Sequence, residues 1–376
     1  MKYCKRTLIG TLLLTIFLIN IVVPASAYSY SGYMWKSHHP YIQKGSTIPS
    51  SWSSALTAST NTWDNAGANF SFHWGQTAVN KLNYKSFYPT STLGITFPVP
   101  NADGYLGSCY TNFNSNVVWS TSGESGKFDV QNVATHELGH WLNLLDLYDS
   151  GSTEKTMYGY TSTGETKQRT LESDEIAGIK SIYGVTSNLL FSDYTNDNVK
   201  LANNTDGFTG TNDPLDVKIS ASIIKCTHAD LKNNSDIIVT GKVKEILPSK
   251  WNTIDGDKPN KENTKSDQDC IIYTDIIISV DKYLKNPLSS KEVIVRTYGG
   301  KVGNDSMTLD IEAGFKSGEN VLLYLEKDLS TKANDGSEYF YVYGSMQGKF
   351  TLTDDGKATR PDETVSQEEL LSTIEK

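Results

Sequence analysis

Apolar positions along this chain follow two regimes. Up to about Gly184 helical and alternating spacings are mixed. Trp52, Leu56, Thr60 and Trp63 recur on one face and predict a helix over Ser51–Ala66. Val130, Val133 and Ala134 begin a second helix running to Leu142, and Leu171–Ile182 carries a third. Phe70–Trp74, Leu93–Phe97 and Val117–Trp119 read as strands between them. The segment Ser187–Asp216 is rich in Asn, Asp, Thr and Gly and poor in apolar residues, which predicts a linker crossed by few contacts. Beyond it the pattern is that of strands: Ile237–Ile246, Ile271–Val280, Glu292–Tyr298, Asn320–Glu326 and Tyr339–Gly344. Lys250–Gln268 is polar and charged, as an exposed hairpin loop would be. Val365, Leu370, Leu371 and Ile374 mark a short amphipathic helix near the end. The expected architecture is an α+β domain over residues 28–186, a linker over 187–216, an all-β domain over 217–360 and a helical tail over 361–376.

Residues 1–27 are excluded from the fold. Lys2, Lys5 and Arg6 precede an apolar run from Leu8 to Val23, and Ala25-Ser26-Ala27 is a small-residue cleavage site. These features read as a signal peptide, so the mature protein is expected to be secreted, without membrane contact after cleavage, and to be a monomer. Losing the three basic residues of the leader takes the formal net charge from −9 to −12. Such a balance argues against a nucleic-acid partner, because phosphate binding needs clustered Lys and Arg. Three cysteines remain, Cys109, Cys226 and Cys270, allowing at most one internal disulfide. Cys226 and Cys270 are the expected pair, since both fall in the second half.

The candidate chemistry lies in Thr135-His136-Glu137-Leu138-Gly139-His140-Trp141-Leu142-Asn143-Leu144-Leu145-Asp146. On a helix, His136 and His140 share a face and can direct both imidazoles at one metal ion. Glu137 then stands beside any water held there, as a general base requires. Asp146, six residues past His140 and beyond a helix stop at Asn143, is a candidate third ligand. Glu172 or Glu175 is an alternative third ligand, as in a gluzincin-type zinc hydrolase. A secreted binding protein with a degenerate peptidase domain is the rival from another class, although an intact Glu137 counts against it.

The first domain resembles the matrixin branch of the metzincin zinc peptidases. In the pattern H-E-x-x-H-x-x-G-x-x-H/D, His136, Glu137 and His140 match, Asn143 takes the glycine position and Asp146 the last ligand position. Lys155-Thr156-Met157-Tyr158-Gly159-Tyr160 resembles the family's methionine turn, and Leu171–Gly184 its final helix. The resemblance implies a metzincin-type α+β fold and one catalytic Zn²⁺ on His136, His140 and Asp146, with Glu137 as the catalytic base. It implies that a polypeptide substrate lies along the edge strand Leu93, Gly94, Ile95 and Thr96, and that Met157 forms a floor under the ligands. Tyr158 and Tyr160 are candidates for the substrate pocket. Asn can adopt the left-handed turn that glycine makes at position 143. Asn112 stands about where the family has a histidine for a second, structural zinc, so none is expected; His38, His39, His73 and His228 read as loop or sheet residues. Calcium is common in the family, and Asp103 is a candidate ligand, although a simple Asx turn explains it as well. Little chain separates the leader from the domain, so no N-terminal latency segment is expected. Ser235-Asp236-Ile237-Ile238-Val239-Thr240-Gly241-Lys242-Val243 is similar to the OB-type barrel of netrin-like modules and tissue metalloproteinase inhibitors. That likeness implies an accessory or docking module, or one that regulates its own catalytic domain.

Overall fold

Aromatic and aliphatic residues at helical spacing give α1 (Ser53–Asp64) a buried face of Ala55, Leu56 and Trp63. This face packs against α2 (Val130–Trp141), which is buried on nearly every side. The computed structural model describes residues 28–101, 103–186, 215–253, 255–259, 271–329 and 338–375. The expected leader, residues 187–214 of the expected linker and Cys270 lie outside the described residues.

The helices cover a twisted sheet built from β1 (Tyr41–Lys44), β2 (Asn80–Lys85), β3 (Thr92–Pro100) and β4 (Leu106–Asn114). β1, β2 and β4 run parallel, and β3 pairs antiparallel with β4. Residues 92–98 of β3 are buried without alternation, the signature of a strand covered on both faces. The expected strand at 70–74 forms only as His73–Trp74. Phe70 and Phe72 are in the core instead, with the Phe70 ring 4.7 Å from Tyr183. Likewise the expected strand at 117–119 is a two-residue ribbon, Trp119–Ser120 against Phe128–Asp129, outside the main sheet. After α2 the chain forms the short β5 (Tyr160–Thr161) and then α3 (Ser173–Tyr183).

The largest departure from expectation follows the linker. β6 (Asp216–Ile224) begins at the residue where the linker was expected to end, and it joins the sheet of the first domain. It pairs antiparallel with β3 and parallel with β5, so it lies between two elements of the first domain. Val217, Ile219, Ala221 and Ile223 pack with Ile95, Phe97, Tyr158 and Tyr160 in one cluster. The expectation of few contacts across the boundary is therefore corrected: a hydrophobic core spans it. The physical signal was the alternation of apolar residues from Val217 to Ile223, which marks a strand but does not say which sheet it joins.

Five of the later strands close a barrel: β7 (Ile237–Ile246), β8 (Ile272–Lys285), β9 (Glu292–Tyr298), β11 (Asn320–Lys327) and β12 (Phe340–Val342). β10 (Asp305–Leu309), inserted between β9 and β11, leaves the barrel to pair parallel with β6. Around the barrel the order is β7-β8-β9-β12-β11 and back to β7, with β9 and β12 parallel. The tail ends in a helix, Gln367–Glu375, whose Leu370 and Ile374 are buried. Cys226, expected to bridge to Cys270, is instead a buried free thiol beside the Ile224 carbonyl, and burial pushes its pKa up to about 12.

Gly241 fixes how closely β7 and β8 approach. A Cβ there would lie 2.3 Å from the Ser279 carbonyl oxygen, a backbone atom that cannot rotate away. Gly241→Ala is expected to destabilise the barrel by about 1–3 kcal/mol through overpacking. Urea unfolding checks this: a wild-type midpoint would contradict the close approach.

Candidate metal centre and cleft

α2 starts at Asp129, whose carboxylate accepts the Asn132 N–H (2.9 Å) and pairs with Arg169. This N-cap sets the helix phase, and with it the direction in which His136 and His140 point. Trp63 donates from its indole to the Thr135 carbonyl (2.8 Å), holding the helix against α1. Gly139, between the two histidines, lies on the Met157 side chain; a Cβ there would come within 2.2 Å of the Met157 sulfur. Met157 thus lies under the helix turn that carries the histidines. Its own N–H donates to Glu175 Oε1 (2.9 Å), while Glu175 Oε2 takes the Glu172 N–H (2.7 Å) in the capping box of α3.

The helix ends at Leu142, and Asn143 is left-handed with φ 61°. Its N–H donates to the His140 carbonyl (2.9 Å) and its side-chain oxygen accepts from Ser31 (2.6 Å). The turn folds the chain back and carries Asp146 to the histidines. His136 Nε2 is 3.0 Å from His140 Nε2 and 3.0 Å from Asp146 Oδ1; His140 Nε2 is 3.5 Å from Asp146 Oδ2.

These separations fit a shared cation. Nδ1 of His136 lies 2.8 Å from the Thr156 carbonyl, and Nδ1 of His140 lies 2.7 Å from the Leu144 carbonyl. A carbonyl accepts only, so the proton of each neutral ring sits on Nδ1 and each Nε2 offers a lone pair. Neither buried Asp146 oxygen has a donor at full hydrogen-bond geometry, although Asp310, Tyr148 and the Ala221 N–H act on the carboxyl from close by. Burial lowers the His140 pKa well below its ordinary value, helped by the His136 ring, and raises that of Asp146 well above its own. Two neutral imidazoles and a carboxyl group facing one another in a dry space need a proton or a metal ion between them, and the three atoms converge as ligands of one ion would. A tetrahedral zinc with ligands at about 2.0–2.1 Å places them about 3.3 Å apart, between the distances found.

Glu137 is fully buried beside this group. Thr96 Oγ1 donates to its Oε2 (2.6 Å); Ser222 donates to its Oε1 from both Oγ (2.6 Å) and N (3.2 Å). Burial raises the Glu137 pKa, partly offset by His136 and these donors. Gly94 makes room for the carboxylate, since a Cβ there would meet Glu137 Oε1 at 2.5 Å.

The six residues expected to meet substrate flank one groove. Leu93, Gly94, Ile95 and Thr96 stand on β3, on one side; Tyr158 and Tyr160 stand opposite, with rings 5.5 Å apart. The groove is filled by β6, leaving Tyr158 and Tyr160 buried. Leu93 points into the core of the first domain, Ile95 toward β6, and Thr96 toward Glu137. Glu172 and Glu175, the alternative third ligands, are engaged in the capping box of α3 rather than grouped with the histidines. Asp103 accepts the Tyr105 N–H and pairs with Lys36, an Asx turn satisfied without calcium. Asn112 accepts from Asn83; His39 and His73 share Ser71, and His228 meets Glu363. The sequence reading missed Ser222, and it missed Asp310, which follows β10 and reaches Asp146. Neither carries a motif; only the alternation around Ser222 was there to be read.

Among the described residues, His136, His140 and Asp146 stand close enough together to hold a metal ion. The matrixin family model of peptidases matches residues 49–184. Metalloendoproteinase 1 of Glycine max is 29% identical over 121 residues, covering 29% of this chain and 38% of that protein. The matched segment thus spans well under half of that relative. The α2 helix with its histidines, the left-handed Asn143 and the Met157 turn all fall inside the matched residues, and residues 49–184 form a matrixin-like metallopeptidase catalytic domain.

Proposed function

We propose that this chain is a secreted zinc-dependent endopeptidase in which His136, His140 and Asp146 hold one zinc ion and Glu137 is the general base. The carrying observation is the convergence of two Nε2 lone pairs and the buried Asp146 carboxyl next to a buried glutamate. A zinc ion bound there would polarise the scissile carbonyl and lower the pKa of a coordinated water toward about 7.

The chain's own residues do the rest. With β6 out of the groove, the edge of β3 at residues 93–96 orders an extended polypeptide by adding it to the sheet. Tyr158 and Tyr160 supply the facing wall. Glu137 accepts a proton from the attacking water and returns it to the leaving nitrogen. Thr96 orients the Glu137 carboxylate through Oε2, leaving Oε1 for the water. A non-catalytic binder has no use for a base built this way, and the capping-box engagement of Glu172 and Glu175 disfavours the gluzincin alternative. The signal-like leader supports export, and no helix among the described residues is long and apolar enough to cross a membrane. The barrel order, with its parallel pair β9–β12, supports reading the C-terminal domain as OB-like. Asp103 gives calcium no support beyond family habit.

Two outcomes are expected. Glu137→Gln keeps stoichiometric zinc but lowers the rate of casein hydrolysis by about 10²–10⁴, because the amide cannot take the proton; near-wild-type turnover of the metal-replete variant would sink the mechanism. Asp146→Ala loses stoichiometric zinc after dialysis, whereas Glu172→Ala and Glu175→Ala retain it, as read by elemental analysis. The reverse pattern would move the third ligand to α3.

A further inference from the structure

The groove that should receive substrate is occupied by this chain's own β6, and its pose is that of a bound peptide. β6 runs antiparallel to β3, pairing Ser220 with Thr96, Ala221 with Ile95 and Ser222 with Gly94. On its other side it runs parallel to β5, and Ile223 and Lys225 donate their N–H groups to the Gly159 (3.1 Å) and Thr161 (3.0 Å) carbonyls. An extended segment bonded along both edges of a cleft is strand addition, the mode by which such a groove would take a polypeptide. Its apolar face, Val217 to Ile223, covers Tyr158 and Tyr160.

The register places chemistry on chemistry. Ser222 N lies 3.2 Å from Glu137 Oε1, where a leaving nitrogen would collect its proton. The Ser222 hydroxyl, 2.6 Å from the same oxygen, stands where the base would have to hold an attacking water. With Thr96 on Oε2, both carboxylate oxygens are engaged by donors. Oε1, the oxygen left for the water, already takes two donors from Ser222 and has no lone pair free.

The barrel also grips the first domain outside the cleft, at the loop before the strand that β6 pairs with. Glu326 on β11 accepts from the Thr90 N–H (2.8 Å) and hydroxyl (2.7 Å). Tyr298 donates to the Tyr88 carbonyl (3.0 Å), and the Gly344 N–H donates to Ser91 Oγ (2.9 Å). All three grip the loop leading into β3.

We propose that β6 is a substrate-mimetic plug by which the C-terminal barrel holds the peptidase latent, with Ala221–Ser222 standing where the scissile pair of a substrate would stand. The latency rests on the peptidase reading; the plugging of the groove does not. The device is C-terminal and uses a serine hydroxyl on the base. In this state a polypeptide enters only when β6 and the barrel disengage together. The register further indicates that substrates carry small residues across the cleaved bond and a branched apolar residue at the next position, where Ile223 sits beside Tyr160.

The test uses the full chain and two variants that loosen the plug. Ile223→Asp puts a carboxylate among Tyr158 and Tyr160, and Glu326→Ala removes a clamp remote from the cleft. The probe is a fluorescein-labelled nonapeptide of sequence Asp216–Ile224, followed by anisotropy with metal-free protein. Circular dichroism checks folding, and Glu326→Ala decides alone if Ile223→Asp does not fold. The variants should bind the peptide at least tenfold more tightly than wild type, and when zinc-loaded should cleave a quenched fluorescent peptide at least tenfold faster. Equal peptide binding by wild type and folded variants, or none by any of them, would overturn the plug. Turnover by zinc-loaded wild type within threefold of both variants would overturn the latency. Peptide binding gained without hydrolysis, at full zinc content, would leave the plug standing and remove the peptidase reading instead.

Discussion

Lone pairs aimed at one another in a buried space set the terms for this molecule. His136 and His140 each give Nδ1 to a backbone carbonyl, which fixes both Nε2 atoms as acceptors facing Asp146. That arrangement needs a proton or a metal ion at its centre, and burial pushes His140 and Asp146 away from their charged forms when no ion is bound. Much of the first domain serves to hold it. The Asp129 cap phases the helix, Met157 under Gly139 supports it, and the left-handed Asn143 returns the chain so that Asp146 closes the group. A carbonyl accepting the other ring N–H is the usual way a protein fixes the tautomer of a metal-ligating histidine.

The same few strands then meet competing demands. A strand edge that is to take up a polypeptide has to stay open, yet an unpaired edge is a template for aggregation. Here β6 pairs with that edge, which covers its hydrogen-bonding groups and closes the site with one element. Gly94 lies at the crossing of these demands: it leaves space for Glu137 on one side and sits opposite Ser222 in the ladder. The insertion bearing β10 extends the sheet past β6 and carries Asp310 to Asp146, so the barrel touches the centre from two directions.

What could be read in the sequence was whatever is encoded locally. The spacing of His136 and His140 is a property of one helix, and the tolerance of Asn143 for a left-handed turn is a property of one residue; both are found as expected. The barrel strands follow their own alternation, and β7 and β9 have the expected ends. Long-range pairing was not legible. Residues 217–223 alternate cleanly, but nothing local says that their partner is β3, more than a hundred residues earlier. Phe70 and Phe72 look like strand residues and are instead drawn into the core around Tyr183. Cys226 looked like half of a disulfide because cysteine counting ignores burial, and its thiol is enclosed by the barrel end. Ser222 acquires meaning only once β6 is in the cleft.

The account turns on the identity of the ligands around one ion, which X-ray absorption at the zinc edge reads directly in the full-length protein. It predicts a stoichiometric zinc with two imidazole nitrogens and a carboxylate oxygen at about 2.0–2.2 Å, and no sulfur scatterer at about 2.3 Å. The Asp146→Ala protein should not give that spectrum. A first shell containing sulfur, a single imidazole, or a spectrum unchanged in Asp146→Ala would contradict the site described by His136, His140 and Asp146.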